Sequence, residues 1–66
     1  MKHLKAETQT QYMIHTSDPA LLFLVDSREQ VGTLREIVTR MGHTVTRLEK
    51  HVIGNRQHLI EVVEGN

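Results

Sequence analysis

Residues 27–42, S-R-E-Q-V-G-T-L-R-E-I-V-T-R-M-G, decide the fold, because they form the one stretch with a sustained helical period. Val31, Leu34, Val38 and Met41 recur at spacings of three and four with Ile37 beside them, which is a single apolar stripe. Arg28, Glu29, Thr33, Arg35, Glu36, Thr39 and Arg40 fill the remaining surface. Ser27 with Gln30 three residues later fits a capping box, and Asp26 with Glu29 fits one too. Ser27 is the preferred N-cap, with Asp26 placed to favour the positive end of the helix dipole. Gly42 supplies the left-handed position that stops a helix. Gly32, inside the stretch, costs roughly 0.5–1 kcal/mol relative to alanine. A tolerated surface glycine is one reading of it, and close approach of another backbone is the other.

Strand patterns lie on both sides of this helix. Gln9 to His15 alternates weakly, with Tyr12 and Ile14 on one side and Gln11 and Met13 on the other. Thr16 to Ala20 has turn chemistry, Asp18 and Pro19 fitting the first two positions of a type I turn. Leu21 to Val25, L-L-F-L-V, is too short for a helix and continuously apolar, so it reads as a strand buried on both faces. These two segments are expected to pair as an antiparallel hairpin.

Beyond the helix, His43 to Ile53 and Arg56 to Glu64 read as two more strands. Gly54-Asn55 between them suits a two-residue II′ turn. That turn would place Ile53 opposite Arg56, His51 opposite His58, Glu49 opposite Ile60 and Arg47 opposite Val62. On the other face it would place Lys50 opposite Leu59 and Leu48 opposite Glu61. Neither face is cleanly apolar, so either a bulge re-sorts the sides or both faces are partly covered.

The expected architecture is α+β: a ββαββ chain forming a four-stranded, mostly antiparallel sheet with one helix on one face. Residues 1–8 are expected to form a flexible N-terminal arm and residues 9–66 a single domain. The expected core comprises Ile14, Leu22, Leu24, Val31, Leu34, Ile37, Val38, Met41, Val45, Leu59 and Val63.

A chain of 66 residues buries only roughly 60% of the surface its unfolded form exposes. With no cysteine, neither a disulfide nor a thiolate metal site can staple it. One helix covers one face of a sheet, while Leu21 to Val25 asks for cover on both. A second copy of the chain is therefore expected on the far face or at an edge, making the protein a homodimer.

The residues exclude several function classes. There is no phosphate loop, nucleophile elbow or paired-carboxylate spacing, and the serines, threonines and aspartates already have turn, cap or strand roles. An enzyme is not expected, and no cofactor is implied. No apolar run reaches the roughly 18 residues of a membrane span, and Met1 to Lys5 lacks the apolar core of a signal peptide. A cytoplasmic setting follows as the expectation, and the absence of cysteine agrees with it.

Five histidines stand out: His3, His15, His43, His51 and His58. Two imidazoles facing each other at His51 and His58 could share a metal ion, but a metal needs three or four ligands and no third is evident, so no metal is expected. Histidine also titrates near neutrality, which admits a pH-sensitive interface.

The formal net charge is zero, which argues against a dedicated electrostatic nucleic-acid binder. Locally, six basic residues between Arg28 and His58 stand against three acidic ones, an excess of +3. Arg47, Lys50, His51, Arg56 and His58 gather on the second hairpin and are the candidate contact residues for a partner. A basic β-ribbon can meet a groove or phosphates. Only Tyr12 and Phe23 are aromatic, too few for a stacking platform. The leading expectation is a small, soluble, non-enzymatic interaction module, a regulator or inhibitor that acts through protein contacts and associates with itself through the sheet. The alternative is nucleic-acid binding through the hairpin around Lys50 to His58. The size of the chain also suits an accessory protein of a phage or mobile element.

Overall fold

The structure, a computed structural model, describes residues 8–65. Residues 1–7, most of the expected arm, lie outside this range. Five elements follow in the expected order: β1 (Gln9–Thr16), β2 (Leu22–Val25), α1 (Arg28–Arg40), β3 (Val45–Ile53) and β4 (His58–Gly65). The four strands form one sheet in the order β2-β1-β3-β4, and every neighbouring pair is antiparallel.

Local chemistry builds the helix as expected. Ser27 is the N-cap in extended conformation, its Oγ accepting from the Gln30 N–H at 3.3 Å. The Gln30 side chain returns the contact by accepting from the Asp26 N–H at 2.9 Å. At the other end Gly42 takes φ +87, the Gly42 N–H donates to the Thr39 carbonyl, and the His43 N–H donates to the Val38 carbonyl, both at 3.0 Å. This is a Schellman closure, which satisfies two carbonyls the helix would otherwise leave open.

The first hairpin closes through the expected turn, the Leu21 N–H donating to the Asp18 carbonyl at 2.8 Å. Buried Thr16 secures it, its Oγ1 lying 2.9 Å from both the Asp18 and Leu21 carbonyl oxygens. The second hairpin corrects the expected register. Its loop is four residues long, Gly54 to Gln57, closed by the Gly54 N–H donating to the Gln57 carbonyl at 2.8 Å. Ile53 therefore faces His58, His51 faces Ile60 and Lys50 faces Glu61. The two-residue slip keeps the side chains from His58 to Val62 on their expected faces and improves the cross-strand pairs. Lys50 now meets a carboxylate and Val52 meets Leu59, where the tighter turn would have set Lys50 against Leu59 and Leu48 against Glu61. The pairing also shifts between Leu48 and Glu49, so Val63 is an extra residue on β4 and the strand bulges there.

The core lies between α1 and the β1–β3 side of the sheet. Tyr12, Ile14, Val31 and Leu48 form its buried cluster, with Phe23, Val25, Leu34 and Val45 packed against it, and Val38 is fully buried. Six of the expected core residues are instead exposed by 39% or more. Leu22 and Leu24 point to the face that α1 does not touch, so β2 is covered on one side only. Ile37 and Met41 lie on the flank of α1. Leu59 and Val63 sit on β4, an edge strand exposed along its length. Tyr12 and Leu48 take their place in the core.

Candidate functional site

Strand alternation and register assemble a mixed surface on the bare face of the sheet. Met13 and His15 of β1 lie opposite Leu24 and Leu22 of β2 on one side and Glu49 and Arg47 of β3 on the other. Across β3, Glu49 and His51 lie opposite Val62 and Ile60 of β4. Apolar side chains thus occupy both margins, and charged and imidazole groups occupy the middle.

The middle is a connected network centred on Glu49. Its Oε1 lies 2.9 Å from His51 Nε2 and 3.5 Å from His15 Nε2, and its Oε2 lies 2.8 Å from Arg47 Nε. Glu49 and His51 are only 8% and 7% exposed although no element covers this face, because their neighbours' side chains close over them. The Arg47 Nε–H is not aimed at the carboxylate, so this contact is an ion pair rather than a hydrogen bond. The hydrogen bond from His51 holds the Glu49 carboxyl below its ordinary range. His15 and the Arg47 charge add to that, outweighing the burial that pushes the other way.

His51 Nδ1 stands 2.8 Å from His58 Nε2, with the two rings tilted by 51°. The chain is satisfied when the His51 Nε2–H donates to Glu49, His51 Nδ1 accepts, and the His58 Nε2–H donates to it. The expected meeting of the two imidazoles therefore occurs, reached diagonally rather than between directly opposed residues. Chemically this carboxylate–imidazole–imidazole row orients rings and can pass a proton along itself. Among the described residues no three histidine, cysteine or carboxylate side chains are arranged to hold an ion.

The five candidate residues of the second hairpin do not form one basic surface. Arg47, His51 and His58 lie on the bare face, and Arg47 is committed to Glu49. Lys50 points to the helix side, opposite Glu61. Arg56 stands in the exposed loop. Sequence reasoning did not pick out Glu49, and it noted His15 only as one of five histidines without joining it to His51. Their signal was present, since both share a face parity with His51 once β1 is set beside β3, but that neighbour relation is not encoded locally.

A second feature lies across the sheet. A cavity of about 260 Å³ opens between α1 and β4, lined by Arg28, Val31, Gly32 and Arg35 of the helix and by Tyr12, Leu48, Val63 and Glu64 of the sheet. Among the described residues no helix is long and apolar enough to cross a membrane. Comparisons of the chain with protein-family models, curated proteins and solved structures find no match.

Proposed function

We propose that this protein is a non-enzymatic interaction module that associates with a second copy of itself through the bare face of the sheet. The observation that carries this reading is the exposure of Leu22 (53%), Leu24 (53%), Ile60 (54%) and Val62 (42%) around a charged centre that is already internally paired. Apolar margins gain from leaving water. A carboxylate costs less to bury in an interface when it is already paired and hydrogen-bonded than when it is alone, and Glu49 brings its own partners.

Charge and size favour a second copy as the occupant. The chain has zero formal net charge, so two copies meet without long-range repulsion. A four-stranded face is about 20 by 25 Å, or roughly 500 Å² of projected area, before side-chain relief is added. That is near the lower bound of a specific interface, roughly 600 Å² per partner. A two-fold axis on this face would give a two-sheet sandwich with a helix on each outer layer. A cytoplasmic setting and a regulatory role belong to the same proposal, in keeping with a chain that carries no cysteine.

Sedimentation equilibrium tests it. A mass twice that of the chain is expected at micromolar concentration, and Leu24→Glu, which places a charge on the apolar margin, is expected to yield a folded monomer by circular dichroism. A wild-type chain that stays monomeric at hundreds of micromolar would end the reading. Salt-sensitive binding of duplex or single-stranded nucleic acid, lost in a Lys50→Ala/Arg56→Ala variant, would replace it with the nucleic-acid alternative.

A further inference from the structure

On the helix side of the sheet, α1 packs over β1 and β3 and leaves β4 open. Leu59 (61% exposed) and Val63 (39%) face upward there with no layer above them. The cavity between α1 and β4 is the inner edge of this open strip.

We propose that the α1–β4 cleft is a docking groove for an acidic amphipathic helix of a partner protein, lying alongside α1 over β4. Four strands span about 15 Å between their outer axes, and packed helices lie 8–10 Å apart. A sheet of this width accommodates two helices on one face, and this chain supplies one.

Gly32 points to a helix as the occupant. It lies on the cleft side of α1, and a Cβ built on it meets nothing within 4 Å. Its φ is not positive, so the backbone does not require glycine. The fold therefore pays a helix-propensity penalty for which the isolated chain shows no return. A glycine on a helix flank allows another helix to approach closely.

Charge selects which helix. Arg28, Val31, Gly32 and Arg35 occupy positions i, i+3, i+4 and i+7, one face of α1. Arg35 is paired with Glu64 at 2.8 Å. Arg28 touches the Tyr12 hydroxyl at 3.4 Å and has no carboxylate partner among the described residues. Lys50 and Glu61 face each other farther along the strip. The groove thus has Leu48 and Val63 on its floor with Glu64 beside them, and with Arg35 set against Glu64 it keeps one unpaired positive charge, Arg28. The α1 of a second copy would set Arg28 against further arginines, so a partner helix that brings a carboxylate to Arg28 fits better. An extended strand added to the β4 edge would lie beside the sheet rather than under these arginines.

This surface is on the opposite side of the sheet from the self-association face and does not depend on it. The probe is a synthetic amphipathic helical peptide of about 18 residues, leucine on one face and a glutamate flanking it, with a lysine-for-glutamate version as control. Amide shifts are followed by NMR on the full chain and on its Leu24→Glu variant, which separates the two surfaces. The glutamate peptide is expected to shift Val31, Gly32 and Val63 in both proteins. Gly32→Leu, which fills the groove, should weaken it by about tenfold or more while the melting temperature holds or rises. Arg28→Glu should reverse the preference toward the lysine peptide. The proposal is overturned if neither peptide binds at millimolar concentration, if both bind equally, if Gly32→Leu leaves binding unchanged, or if the shifts are confined to the β4 edge or arise equally with acetate alone.

Discussion

Single residues show how closely the fold is tuned at its margins. Gly65, with φ +88, would drive a Cβ into the Thr46 carbonyl, which glycine alone avoids. Gly65→Ala should therefore detach the end of β4 and cost about 1 kcal/mol or more, read as a fall in the urea midpoint and lost amide protection near Arg47. Glu49 carries the pH dependence. Its carboxyl is held below its ordinary value in the folded chain, so the stability it contributes is present above the unfolded carboxylate range and is lost as pH falls through the lowered value. Melting temperature should decline on that acid limb, and Glu49→Gln should both lower stability at neutral pH and flatten the limb. An unchanged acid profile in the variant would assign the loss to other carboxylates.

Elements differ in how much of their structure is local. The ends of the helix are determined by its own residues: the Ser27 cap and the Gly42 stop occur as the sequence predicts, and Val31, Leu34 and Val38 of its stripe face the core, while Ile37 and Met41 lie exposed. Ser27→Ala should cost about 1 kcal/mol, measurable as reduced helical signal and melting temperature, because the Gln30 N–H loses its acceptor. Strands obey weaker local rules. The type and order of all four were legible, and Asp18-Pro19 correctly marked the first turn. The second hairpin was not, because a two-residue and a four-residue loop are both compatible with Gly54-Asn55. The choice falls to cross-strand pairs such as Lys50 with Glu61. The bulge at Val63 is also a property of the pair, not of either strand.

For the whole molecule, the governing fact is that one helix faces a sheet with two faces. That much follows from the sequence: a short chain without cysteine, one amphipathic helix, four strands and an apolar run at Leu21 to Val25 that asks for more cover than the chain contains. If self-association supplies the cover, the melting temperature should rise with protein concentration, and Leu24→Glu should abolish that dependence. Periodicity and capping act within a few residues, so the ββαββ order, the helix with its caps and the inner stripe of Val31 and Val38 were legible in the chain alone. Only the tertiary structure decided which apolar residues stay bare. It moved Leu22, Leu24, Leu59 and Val63 out of the expected core and brought in Tyr12 and Leu48. It also decided that His15, Glu49, His51 and His58 form one network and that Lys50 faces away from it. The reason is physical: those relations depend on β1 lying between β2 and β3 and on where α1 stops covering the sheet. Both are settled by contacts between residues far apart in the chain.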